Sequence, residues 1–139
     1  MTAINIPEAI GTRGRVLVAD DDDDVRRLLT ATLELEGYDV AGCDNGDDAR
    51  SLARTMAPDV IVLDVMMPKR DGYDVLAALK SNLATRGIPV VLLSAKAQDE
   101  DVWKGWRAGA DYYVTKPFNL EELLRFIEQA VDGAARPQA

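Results

Sequence analysis

Asp59-Val60-Ile61-Val62-Leu63-Asp64 is the stretch that decides the fold. Four apolar residues, three of them β-branched, run without a polar break between two aspartates. An unbroken run of that length reads as a strand covered on both faces, which is the condition of strands in parallel sheets. The same signature recurs on either side. Val16-Leu17-Val18-Ala19 runs into Asp20, and Val90-Val91-Leu92-Leu93 runs into Ser94. Pro89 stands at the start of the latter, where a strand tolerates proline. Residues 38–43 form a weaker run, and residues 111–115 a short one.

Between the runs the apolar spacing becomes helical. Val25, Leu28, Leu29, Leu33 and Leu35 recur at that spacing until Gly37, a stop signal. Asp44 and Asn45 can cap a helix carrying Ala49, Leu52, Ala53 and Met56, which Pro58 breaks. A polar turn from Pro68 to Gly72 leads into Tyr73, Leu76, Ala77 and Lys80. Residues 98–108 read as helix, and Leu120, Leu123, Leu124, Ile127 and Val131 mark a last one over 119–131. Strict alternation of strand and helix predicts an α/β fold: a five-stranded parallel sheet, doubly wound, with helices on both faces. Strands 3 and 4 are the most apolar and belong at the centre. Strand 2, with Asp39, Gly42 and Asp44 in or beside it, belongs near an edge. Residues 15–132 are expected to form the domain, with 1–14 and 133–139 as flexible ends.

Composition excludes several classes of function. The chain has 139 residues, one domain's worth. Sixteen basic and 24 acidic residues give a net charge of −8, which argues against direct binding to nucleic acid or to an anionic membrane. The single cysteine, Cys43, excludes an internal disulfide framework and fits a reducing compartment. The absence of histidine removes His–Asp catalysis and most zinc and haem sites. No apolar run approaches the ~20 residues of a membrane span, and residues 1–14 lack the features of a signal peptide. The expectation is a cytoplasmic protein.

Ligands of open parallel sheets bind beyond the carboxyl ends of the strands, at the switch point of the topology. Asp20 and Asp21 end strand 1, Asp64 ends strand 3, Ser94 ends strand 4 and Lys116 follows strand 5. If strands 1 and 3 are neighbours, about 4.8 Å apart, three carboxylates converge. Like charges at ~4 Å repel by about 4 kcal/mol at an effective dielectric of ~20. Such a cluster requires a cation or a proton. The available donors are oxygens, which suit magnesium, manganese or calcium. Lys116 adds a point charge and Ser94 a neutral donor, so the set is suited to a transferring phosphoryl group. Asp22, Asp23 and Asp24 read instead as capping and dipole residues of the helix that follows. An EF-hand calcium loop does not fit, because Val25 stands where its sixth-position glycine is needed.

Taken together, Val-Leu-Val-Ala-Asp20-Asp21, Ile-Val-Leu-Asp64-Val-Met-Met-Pro68, Asp71-Gly72, Leu-Leu-Ser94-Ala95 and Gly109-Ala110-Asp111-Tyr-Tyr113-Val-Thr-Lys116-Pro117-Phe118 resemble the receiver domain of bacterial two-component response regulators. The resemblance spans about residues 14–132. It implies a flavodoxin-like strand order, 2-1-3-4-5. It implies that Asp64 accepts a phosphoryl group from a sensor histidine kinase or phosphotransfer protein. Asp21, Asp64 and the main-chain carbonyl of Met66 would ligate Mg²⁺, with Asp20 acting largely through water. Lys116 would contact the acyl phosphate, while Ser94 and Tyr113 would act as switch residues. The Lys116–Pro117 peptide would be cis. By the same resemblance, Met66 and Lys96 would lie near the phosphoryl group, where they could slow or redirect hydrolysis of the phosphorylated form. The protein would be a signalling phosphoacceptor catalysing its own phosphorylation and dephosphorylation, not a metabolic enzyme. Through its fourth helix, fifth strand and fifth helix it would control an unknown downstream protein or an effector domain missing from this sequence. Tyr112 stands where the DNA-binding branch commonly carries a second acid, which puts the usual symmetric dimer in doubt and leaves a monomer or weak dimer.

Two other readings compete. Asp21 to Val25 mimic the nucleophile motif of haloacid-dehalogenase-type phosphatases, with Asp21 as nucleophile and Asp23 as acid; that reading leaves Asp64 without a role. A degenerate receiver that only binds partners is disfavoured by the intact Asp20, Asp21, Asp64, Ser94 and Lys116 set. Of the remaining residues, Trp103 and Trp106 are expected to pack in the core. Cys43 is expected to be buried or half-buried, and Arg26 and Arg27 to lie on a solvated helix face.

Overall fold

A computed structural model describes residues 12–68, 71–95 and 99–135. Lys96, and residues 1–11 and 136–139 of the expected flexible ends, lie outside the described residues. The strands are β1 (Arg15–Ala19), β2 (Asp39–Cys43), β3 (Val60–Asp64), β4 (Val90–Ser94) and β5 (Tyr112–Thr115). The helices are α1 (Asp23–Leu35), α2 (Gly46–Met56), α3 (Gly72–Ser81), α4 (Asp99–Ala108) and α5 (Leu120–Ala135). All strand pairs are parallel, in the order β2-β1-β3-β4-β5.

Alternate residues of each strand serve opposite faces. Leu17, Ala19, Ile61, Leu63, Val90 and Leu92 pack with α2 and α3, while Val16, Val18, Val60, Val62, Val91 and Leu93 pack with α1 and α5. Every residue of β3 and β4 is buried, as their unbroken apolar runs require. Helix starts follow the local chemistry. Asp22 accepts from the backbone N–H groups of Asp24 and Val25, Asn45 from that of Asp48, and Asp71 from that of Asp74. After α1 the chain turns at Gly37, whose φ of 100° suits glycine.

Element boundaries differ from the sequence reading where side chains have other work. Tyr38 precedes β2: its N–H bonds the Leu33 carbonyl at 3.0 Å, so it closes α1. Asp111 precedes β5, and its carboxylate accepts from Val90 N (2.8 Å) and Lys80 Nζ (3.2 Å), which ties β4 and α3 together. The helix α5 continues beyond residue 132 to Ala135. Arg13, inside the expected flexible start, lies 4.8 Å over the Tyr38 ring and pairs with Glu128 of α5.

Two expectations about side chains are corrected. Trp103 and Trp106 are not core residues; they are 63% and 45% exposed. The inward face of α4 holds Gly105 instead, where a Cβ would stand 2.9 Å from the Tyr113 ring and 3.0 Å from Leu92 Cδ2. A helix seated that closely has no room beneath it for indole rings, so both turn outward. Arg26 is also not on a solvated face. Its side chain is 22% exposed against 75% for Arg27. Cys43 is buried as expected, and burial raises its thiol pKa to about 11.

Candidate functional site

The topology makes β1 and β3 neighbours, so their carboxyl ends open side by side. One carboxylate oxygen from each of Asp20, Asp21 and Asp64 lies within 4.8 Å of the others. Asp20 and Asp64 are buried, and Asp21 is exposed at the rim. Lys116 reaches in from beyond β5, its Nζ 3.0 Å from Asp20 Oδ2 and 3.5 Å from Asp64 Oδ2. The Lys116–Pro117 peptide is cis, and the Lys116 N–H bonds the Ser94 carbonyl at 2.7 Å. Ser94 is buried at the end of β4. Met66 donates its N–H towards Asp64 Oδ1 at 3.4 Å, while its side chain is exposed. Tyr113 is half-buried one strand away, with its ring against Gly105 of α4. Asp20, Asp21, Asp64, Ser94 and Lys116 therefore gather at one end of the sheet, whereas Tyr113 sits further back in β5, opposite Leu92 of β4 and beside α4.

Electrostatics explains what the site lacks on its own. Burial first, then the Asp20 charge, push the Asp64 pKa up to about 7, against the pull of Lys116. Burial alone would depress the Lys116 ammonium. Its bond to Asp20 and the charges of Asp64 and Asp20 outweigh that and raise it. Three carboxylates and one ammonium leave two negative charges, which a divalent cation matches. The donors are all oxygens, one carboxylate faces solvent, and a proton on Asp64 is the alternative means of relieving repulsion. The residues present fit Mg²⁺.

The backbone around Asp64 is held as tightly as the side chains. Gly72 sits against it: a Cβ there would stand 2.5 Å from the Asp64 carbonyl oxygen and 2.7 Å from Val65 Cα. Both are backbone atoms and cannot rotate away. Gly72→Ala is expected to cost about 2 kcal/mol of unfolding free energy, read from urea titrations. An unchanged urea midpoint would show that the β3–α3 connection yields.

One residue at the site was not read from sequence. Arg26 Nη1 donates to the main-chain carbonyl of Asp20 at 2.8 Å, and Nη2 donates to the Asp23 carboxylate. The available signal was the i,i+3 spacing from Asp23. That spacing is also typical of an ordinary surface pair, and it does not reveal the bond to Asp20.

Comparison with known proteins agrees with this geometry. Residues 16–128 match the response regulator receiver domain family. The chain is 40% identical over 126 residues to the DNA-binding dual master transcriptional regulator RpaA of Synechocystis, covering 90% of this chain and 52% of RpaA. It is 42% identical over 112 residues to the DNA-binding response regulator MtrA of Mycolicibacterium smegmatis, covering 81% and 48%. It therefore spans about half the length of these curated relatives. The receiver domain of Francisella response regulator 1452 superposes with a TM-score of 0.82 at 35% identity, covering 86% of this chain and 98% of that one.

These relatives correct the expectation, drawn from a net charge of −8, of no direct nucleic-acid partner. Both are DNA-binding regulators, and the matched segment is only about half of each. The charge of a receiver domain reports on that domain's own surface and carries no information about DNA contacts made elsewhere in a regulator. Among the described residues, no helix is long and apolar enough to cross a membrane. With the Asp20, Asp21, Asp64, Ser94 and Lys116 constellation in place, this chain belongs to the response regulator receiver domain family of two-component systems.

Proposed function

We propose that Asp64 is the phosphoacceptor of a cytoplasmic signalling switch. A sensor histidine kinase or phosphotransfer protein would supply the phosphoryl group. A carboxylate oxygen of Asp64 forms the new O–P bond as the donor's N–P bond breaks, and the electron pair leaves with the imidazole. Asp21, Asp64 and the Met66 carbonyl would hold Mg²⁺, with Asp20 acting largely through water. The bound ion would neutralise the phosphoryl oxygens. Lys116 is placed to hold a phosphoryl oxygen, since its ammonium already lies 3.5 Å from Asp64. Ser94 would donate a hydrogen bond to the phosphoryl group and Tyr113 would follow it. The contact of Tyr113 with Gly105 supports a readout through α4, β5 and α5. The DNA-binding relatives support an output on DNA.

The observation that carries this reading is the pairing of a buried Asp64 with both Asp20 and Lys116. It favours Asp64 over Asp21 as nucleophile, because Asp21 lies at the exposed rim and Asp23 is engaged by Arg26. Intact mass after incubation with Mg²⁺ and phosphoramidate tests it. Wild type is expected to gain one phosphoryl group and Asp64→Asn none. An adduct that survives in Asp64→Asn but is lost in Asp21→Asn would support the phosphatase-type chemistry instead. No adduct in wild type would leave a partner-binding domain without phosphoryl chemistry.

A further inference from the structure

Arg26 holds the backbone between the site's two adjacent acids. The Asp20 backbone is fixed on both sides: its N–H bonds the Cys43 carbonyl at 3.1 Å, and its carbonyl accepts from Arg26 at 2.8 Å. Its side chain accepts from Asp22 N at 2.9 Å and from Lys116 at 3.0 Å. Asp21 follows directly, so the orientation of that carbonyl sets where the exposed Asp21 carboxylate starts. The Arg26 stem reaches this position across the edge strand. It lies over Gly42, where a Cβ would stand 3.3 Å from Arg26 Cδ and 3.4 Å from Cγ. Val40, two residues earlier on the same face, is half-buried against the α1 side. The missing side chain at Gly42 is thus what leaves the path for the stem.

We infer that Arg26, seated over Gly42, is a positioning residue that orients the Asp20–Asp21 peptide for divalent-cation binding. This rests on the proposed Mg²⁺ site. It makes a prediction whose sign opposes simple electrostatics. Arg26 is a cation near acidic groups, so removing its charge alone would make Mg²⁺ bind more tightly. Removing its hold on the Asp20 carbonyl weakens binding, by roughly tenfold for a group of this kind.

Isothermal titration of the metal-free protein with MgCl2 separates the two. Arg26→Met keeps most of the stem and loses both bonds; its Mg²⁺ dissociation constant is expected to rise about tenfold. Arg26→Lys is expected to recover part of the loss. Gly42→Val, which crowds the stem, is expected to weaken binding in the same direction while leaving Arg26 in the chain. Arg27→Met removes an exposed charge and is expected to bind Mg²⁺ as tightly as wild type or slightly more so. Thermal unfolding of each variant shows that the folded state is being titrated, and Gly42→Val and Arg26→Lys carry the test if Arg26→Met does not fold. Unchanged or tighter binding by Arg26→Met, or by Gly42→Val and Arg26→Lys in its place, overturns the inference. Absence of Mg²⁺ uptake by wild type instead overturns the metal site on which it rests.

Discussion

Asp64→Asn is expected to make the metal-free protein more stable, by about 2 kcal/mol at pH 8 in the presence of chelator. In the folded state burial and Asp20 raise the Asp64 pKa from 3.8 to about 7. Between roughly pH 4 and 7 the folded protein therefore keeps a proton that the unfolded chain has released. Stability contributed by that proton is complete below the unfolded pKa and is lost as pH rises through the folded one. Wild type should thus weaken across this window and level off above it. Asparagine carries no charge to repel Asp20, and its amide can donate where a carboxylate only accepts. The gap between variant and wild type should widen from pH 4 to pH 8, as read by urea unfolding at each pH. A variant less stable than wild type at pH 8 would show that Asp64 is not strained by its neighbours.

Lys116→Met carries the opposite sign. The ammonium lies against two buried carboxylates, 3.0 Å from one and 3.5 Å from the other. Removing it leaves both without their cation, a change that costs about 3 kcal/mol in buried settings. Its partial exposure places the effect near that figure rather than above it. Phosphoryl uptake should also slow sharply, since the group placed to meet the phosphoryl oxygens is gone. Combining Lys116→Met with Asp64→Asn should restore part of the lost stability, because one unpaired charge disappears with its partner. A Lys116→Met midpoint equal to that of wild type would mean that solvent already screens the trio.

These effects follow from residues that were legible in the sequence. Unbroken runs such as Val60-Ile61-Val62-Leu63 demand cover on both faces, so strand number, parallel pairing and the central place of β3 and β4 follow from pattern alone. Each site acid ends or follows such a run, and the resemblance supplied the strand order that brings the acids together. What pattern could not supply was contact. Trp103 and Trp106 have core-like spacing, but Gly105 determines how close α4 sits and turns both outward. Arg26 and Arg27 are neighbours of identical type. Arg26 passes over the edge-strand glycine at position 42, remote in sequence, and bonds the Asp20 carbonyl, whereas Arg27 is solvated. A net charge of −8 misleads about nucleic acid for a different reason: it describes one domain, and the DNA-binding relatives are about twice its length.

The most direct test of the central claim, that acids from two strand ends build one divalent-cation pocket around Asp64, is calorimetric titration of the chelator-treated protein with MgCl2. Wild type is expected to bind one Mg²⁺ per chain, with binding weakened both by Asp21→Asn at the end of β1 and by Asp64→Asn at the end of β3. No uptake by wild type, or uptake that Asp64→Asn leaves unchanged, would contradict the account.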